Sequence, residues 1–187
     1  MRRITSVYLS GPDAYHTDAD LLMADKRALC AAAGFVPVTP DASALTEEDP
    51  SEAMAREIYA QRVSRLKEAD AVIVNLTPFR GPGCDQAVAF EAGVMSGMGK
   101  PVFAYMNVTS EDEAELSARV EAYEGASAGD DRVWRDAAGY EIEDFGLPES
   151  LMLWAEARGV YVIGTPEPHH DLTGLQLCLE AIKLYSD

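Results

Sequence analysis

Positive charge is scarce in this sequence. Its 187 residues include 15 Lys and Arg against 32 Asp and Glu, a formal charge of −17. A polyanion is held by neutralising its phosphates with cationic side chains, so the balance argues against nucleic acid as a main partner and equally against an anionic membrane surface. Long apolar runs are missing too. The longest uncharged stretch, Ala28 to Pro40, contains two prolines, whereas a spanning helix needs about 20 apolar residues. Met1-Arg2-Arg3 is basic, but the apolar run behind it stops at Gly11-Pro12, so no signal peptide is expected. Cysteine is limited to Cys30, Cys84 and Cys178, odd in number and widely spaced, the pattern of reduced thiols in a cytoplasmic protein. No metal-ligand spacing occurs, and the adjacent His169-His170 before Asp171 point in different directions, so no metal is expected there. No G-x-G-x-x-G or Walker pattern surrounds Gly11 or Gly83.

What is present is an apolar fraction of 48%, enough for a sizeable core. The length favours one domain, because chains below roughly 200 residues seldom divide. Strand and helix patterns alternate: Ile4–Ser10 strand, Thr17–Ala33 helix, Phe35–Val38 strand, Pro50-Ser51-Glu52 opening a helix to Ala69, Ala71–Leu76 strand, Gly83–Met98 helix, Pro101–Met106 strand, Leu147–Arg158 helix, Val160–Ile163 strand and Leu172–Tyr185 helix. Thr17 and Asp20 are spaced as a capping box, with Gly34 as the stop of that helix. Such alternation implies a parallel sheet covered by helices on both faces. Thr109 to Asp144 departs from the pattern, with 12 of the 32 acids, and reads as a solvated helix followed by a loop insertion.

Glu91 is the only ionisable side chain between Gln86 and Gly99, flanked at helical spacing by Val88, Ala92 and Met95. A carboxylate there is costly unless hydrogen-bonded, paired or needed for chemistry, which leaves a structural and a functional reading open. Asp85, six residues earlier, would face away on a continuous helix, since six residues turn about 600°. The preceding Gly81-Pro82-Gly83 makes it a loop or N-cap residue that is either a plain cap or turned toward the same cleft. In a doubly wound sheet of order 2-1-3-4-5, the ligand crevice lies beyond the ends of strands one and three. Ser10 to Tyr15 and Asn75 to Glu91 flank that point, which makes Gly11, Tyr15 and Phe79 binding candidates. Tyr8 is either a core aromatic or a partner reaching Glu91. Arg62, within the stripe Ala55, Ile58, Tyr59, Val63 and Leu66, is either a snorkelling surface arginine or one aimed at a ligand anion.

Four blocks carry a resemblance. Val7-Tyr8-Leu9-Ser10-Gly11-Pro12, then Ala69 to Gly81 (ADAVIVNLTPFRG), then Asp85 with Glu91 and Gly93, and finally Phe145-Gly146-Leu147-Pro148 with Leu151-Met152-Leu153, resemble the nucleoside 2-deoxyribosyltransferase family, in family order. The resemblance implies a flavodoxin-like α/β fold, no cofactor, and exchange of the base of a 2′-deoxynucleoside through a covalent deoxyribosyl intermediate. By position, Glu91 would be the nucleophile and Tyr8 would orient it. Asp85 would hydrogen-bond the base and assist its protonation, and Tyr15 would line the base pocket. Ser150 and Met152 match a segment that reaches a neighbouring subunit's site, which implies a homo-oligomer with a shared active site. The partners would be a nucleoside or nucleotide and a free nucleobase. Three positions depart from the family: Ser150 stands where Asn is usual, Arg62 where Asn or Asp is usual, and Gln86-Ala87-Val88 replaces Val-Gly-Thr. Serine there resembles the related 2′-deoxynucleoside 5′-monophosphate N-glycosidases. Hydrolysis of a nucleotide and non-catalytic nucleotide binding therefore stand as the alternatives.

Overall fold

The computed structural model describes residues 3–40 and 51–186. Five strands form one parallel sheet: β1 (Ser6–Ser10), β2 (Val36–Val38), β3 (Ala71–Asn75), β4 (Val102–Val108) and, after a small hairpin of β5 (Ala126–Ala128) and β6 (Trp134–Asp136), β7 (Val160–Gly164). The order is β2-β1-β3-β4-β7, all neighbours parallel, so the strand order reverses beside β1 as in a flavodoxin-like sheet. Six helices accompany it among the described residues: α1 (Ala19–Ala32), α2 (Glu52–Glu68), α3 (Gln86–Gly97), α4 (Leu116–Glu124), α5 (Leu151–Glu156) and α6 (Thr173–Ser186).

The two-residue period of the strands sorts the core into two layers. Val7, Leu9, Ile73, Phe103 and Tyr105 pack against Cys30 of α1 and Leu175, Cys178 and Ile182 of α6. Tyr8, Val72, Val74, Ala104 and Met106 face the other side, against Leu66 of α2 and Val88, Ala92 and Met95 of α3. Burying both faces explains why β3 is apolar throughout rather than alternating. Asp70, just ahead of β3, ties it to β1. Burial pushes its carboxyl up, but four hydrogen bonds from Thr5 and Ser6 outweigh that and hold it at about 2.

Several sequence expectations need correction. The Thr17/Asp20 capping box does not form: Asp18 caps α1 without a side-chain cap bond, and its own N–H donates to His16 Nδ1 at 3.2 Å. Gly34 does end that helix, at φ 93°, where a side chain would be strained. Ser51 caps α2 by accepting from Met54 N, while Pro50 lies outside the described residues. The apolar stripe of α2 is covered only toward its C-terminal end: Leu66 is buried and Tyr59 is 57% exposed. Helix α3 starts at Gln86, not Gly83, because Arg80 (φ 56°) and Gly81 (φ 159°) carry the chain through a left-handed turn first. The helix expected from Leu147 begins only at Leu151, since Pro148 biases its predecessor to extended backbone. The Thr109–Asp144 stretch holds, besides α4, the β5–β6 hairpin where a loop was expected. No helix among the described residues is long and apolar enough to cross a membrane.

Candidate active site

Glu91 sits on the α3 face that packs on the sheet and is 5% exposed. Both its oxygens are taken up by donors from β1. Tyr8 OH donates to Oε1 at 3.1 Å, and Ser10 Oγ donates to Oε2 at 2.6 Å. Tyr8 and Ser10 are two residues apart, so they project from the same sheet face toward α3. Arg62 of α2 brings Nη1 to 3.9 Å from Oε1, and its Nε is buried without a hydrogen-bond partner among the described residues. Burial lifts the Glu91 carboxyl above its ordinary range. The Ser10 bond, the Arg62 charge and the Tyr8 bond pull it back, and Asp85 pushes it up again. Burial, together with the neighbouring Glu91 charge, drives the Tyr8 phenol far up, so Tyr8 remains a proton donor in this bond at any working pH.

Of the two readings open for Arg62, the outward snorkelling one fails: the guanidinium turns in toward Glu91. Ser10 has no counterpart among the residues singled out from the sequence. The period of β1 was the signal that could have found it, since any residue two beyond Tyr8 shares its face.

Asp85 is the N-cap of α3, with Oδ1 accepting from Ala87 N at 3.2 Å. Its charge adds to the upward push on the Glu91 carboxyl. Asp85 lines a cavity of about 490 Å³ with the Phe79–Gln86 loop, and Phe79 and Arg80 also line a neighbouring cavity of about 340 Å³ with Tyr15, His16 and Asn75. Tyr15 and Phe79 are stacked, centroids 5.3 Å apart at 25°, and the Arg80 guanidinium lies 5.1 Å and 4.6 Å from the two ring centres. Flat aromatic faces with a cation beside them suit a planar, polar ring.

Gly11 is required for space rather than for backbone angle, since its φ of 176° is ordinary extended chain. A Cβ there would lie 2.4 Å from Asp13 Oδ2 and 3.0 Å from Asn75 Cβ. Asp13 is itself locked: Lys26 Nζ lies 2.7 Å from its carboxylate and donates to Tyr105 OH at 2.9 Å, all three side chains being buried. Lys26, the single lysine of α1, reads in sequence as an ordinary surface cation beside Arg27, so this anchor of the pocket loop was not foreseen.

Ser150 precedes α5 and donates its N–H to Glu149 Oε1 at 2.9 Å. Leu153 packs on the α3 side of the core, whereas Met152 is 75% exposed and is not brought to Glu91. The His169-His170-Asp171 run does not form a ligand set. Instead His170 meets His16 and Asp18, with possible ligand atoms within 4.8 Å of one another, in a half-exposed group.

No curated protein sequence matches the chain. A 2-deoxyribosyltransferase from Leishmania mexicana shares its fold at a TM-score of 0.64 and 24% identity, over 94% of this chain and 97% of that one. A conserved protein from Enterococcus faecalis V583 does so at 0.53 and 17%, over 97% and 99%. The 2-deoxyribosyltransferase of Bacillus psychrosaccharolyticus aligns over 55% of this chain and 72% of that one, at 19% identity and a TM-score of 0.46. The family model for nucleoside 2-deoxyribosyltransferase matches residues 7–152. Since that span covers most of the chain and every candidate site residue from Tyr8 to Met152, the chain belongs to the nucleoside 2-deoxyribosyltransferase family.

Proposed function

We propose that this protein carries out its family's reaction, transfer of 2-deoxyribose between nucleobases, through a covalent intermediate on Glu91. The observation that supports this most is the buried Glu91 carboxylate held by Tyr8 and Ser10 from the end of β1. A 2-deoxy sugar lacks the electron-withdrawing 2-hydroxyl and so reaches an oxocarbenium-like transition state readily, which a fixed carboxylate can capture. In the first displacement a Glu91 oxygen bonds to the anomeric carbon as the N-glycosidic bond breaks, and the bonding pair leaves with the base. Asp85 hydrogen-bonds that base and assists its protonation. In the second, a nitrogen of another base attacks the same carbon, its proton passes back to Asp85, and the ester bond returns its pair to Glu91. Two inversions give net retention.

Tyr15 and Phe79, with Gly11 allowing the loop to approach Asn75, form the base side of the site. Arg62 balances the buried charge of Glu91. Because its guanidinium turns toward the nucleophile, it favours this reading over nucleotide hydrolysis, which would want that charge free for a 5′-phosphate. Ser150 binds the sugar end. The outward Met152 supports a homo-oligomer in which this segment completes a neighbour's site. We take the whole chain as one catalytic domain with its insertion at about 109–144. It works in the cytoplasm, where the free buried thiols Cys30 and Cys178 stay reduced.

The test is base exchange: deoxyadenosine or deoxyinosine with free cytosine or adenine, then deoxynucleoside monophosphates, with products separated by chromatography. A new deoxynucleoside, absent with Glu91→Ala, is the expected result. Exchange that survives Glu91→Ala, or release of free base from monophosphates without exchange, overturns the reading.

A further inference from the structure

The acidic insertion contains one buried cation. Arg119 of α4 is 6% exposed, although it lies in a stretch whose composition reads as solvated. Its guanidinium joins three separate segments. Nε donates to Pro82 O at 2.7 Å, in the loop that leads to Asp85. Nη1 donates to Glu113 O at 2.7 Å and Ala114 O at 3.3 Å, within the insertion, and Nη2 donates to Pro148 O at 2.6 Å, in the lead-in to Ser150. Beside it lies Glu149, 5% exposed, with Oε2 at 4.0 Å from Arg119 Nη2. That carboxylate extends the same junction: Oε2 accepts from Cys84 N at 3.1 Å and Oε1 from Ser150 N at 2.9 Å.

A buried ion pair is weak evidence for stability, because desolvation of the two charges consumes most of the attraction. It is better suited to fixing a geometry, and here the bonds run to backbone groups of the loop before Asp85, of the insertion and of the lead-in to Ser150. Cys84 immediately precedes Asp85, whose side chain accepts, among the described residues, the one hydrogen bond from Ala87 N, while its carbonyl accepts from Ala89 N at 3.1 Å. Glu91 needs none of this, being held by Tyr8, Ser10 and Arg62. Asp85 and Glu91 share helix α3, but the side-chain contacts that hold Glu91 do not involve the Arg119–Glu149 junction.

We propose that Arg119, with Glu149, is a positioning residue that sets Asp85 against the departing base and so couples the insertion to base release. This rests on the transfer reading above. Lysine cannot substitute, since a single ammonium cannot span the Pro82, Glu113 and Pro148 carbonyls that the planar fork reaches. In Glu149→Gln one carboxylate oxygen becomes an NH2 group facing a backbone N–H, so one of the two backbone bonds is lost while the shape is kept.

The experiment compares two donors: deoxyinosine, whose base needs a proton to leave, and 4-nitrophenyl 2-deoxyriboside, whose leaving group departs as a stable anion and is read by its absorbance. A loss of general stability or of sugar binding lowers both rates together. A displaced Asp85 lowers the first relative to the second. For Arg119→Lys and for Glu149→Gln the ratio of kcat/KM, deoxyinosine over nitrophenyl donor, is expected to fall roughly tenfold to a hundredfold, the range for a misplaced acid. Asp85→Asn should shift the ratio the same way, and adding Glu149→Gln to it should shift it no further. Glu149→Gln decides alone if Arg119→Lys does not fold. A ratio that stays at the wild-type value in these variants, whatever the absolute rates, overturns the positioning role and leaves the transfer reading intact. A wild-type protein that releases the leaving group from neither donor overturns both.

Discussion

Removing the Ser10 hydroxyl tests the site at its tightest contact. Ser10 Oγ donates to Glu91 Oε2 at 2.6 Å, against 3.1 Å for Tyr8 OH on Oε1, and it outranks both Tyr8 and Arg62 in holding the buried carboxyl down. A hydrogen bond to a charged group contributes about 1.5–3 kcal/mol, and each 1.4 kcal/mol or so is a factor of ten. Ser10→Ala leaves the charged form of Glu91 short of that donor, so its pKa rises further and a smaller fraction is ionised at a given acidic pH. The acidic limb of kcat/KM, which reports the free enzyme, is therefore expected to move to higher pH. At a pH on that limb, activity should drop roughly tenfold to a hundredfold and recover as the pH rises. Tyr8→Phe should move the limb in the same direction by less. The assay is initial-rate base exchange across the pH range. An unmoved limb, a limb moved to lower pH, or a larger effect from Tyr8→Phe would refute the reasoning.

Three further outcomes are expected. Glu91→Gln should abolish exchange yet raise thermal stability at neutral pH by roughly 0.5–2 kcal/mol, as relief of a strained active site commonly does. The sign follows from the raised pKa: the native state keeps its proton to higher pH than the unfolded chain, so stability falls as pH rises through that window and the variant's advantage should vanish in acid. Lys26→Met strands Asp13 in the interior at a cost of about 3–5 kcal/mol, with Asp13→Asn restoring part of it in the double variant, as denaturant titration would show. Gly11→Ala forces a methyl against Asp13 and Asn75, and should cost about 1–3 kcal/mol by the same titration while raising KM for the acceptor base.

Legibility from sequence followed how local the determining physics is. The existence of the strands and of a two-sided core depends on apolar runs such as Ala71 to Val74, which announce themselves, whereas the order of the strands does not lie in such runs. The oddity of Glu91 was visible because a lone carboxylate in an apolar helix is costly wherever it sits. Its partners were harder. Tyr8 stood out as an aromatic at a strand end, but Ser10 is small and common and acquires meaning only once β1 and α3 are in register. Arg119 and Lys26 were invisible for the opposite reason: their residue type belongs on surfaces, and only long-range carbonyl and carboxylate partners reveal them as buried.

By itself, then, the sequence determined the class of fold, the parallel sheet and the identity of the one carboxylate with nowhere polar to go. These rest on periodicity and on desolvation, which act over a few residues. Only tertiary structure decided what surrounds that carboxylate: Ser10 as the shorter of its two hydrogen bonds, Arg62 turned inward, and an acidic insertion tied to the cleft through Arg119. Each joins residues 29 to 81 positions apart, and no local pattern encodes where a folded chain brings two distant polar groups together.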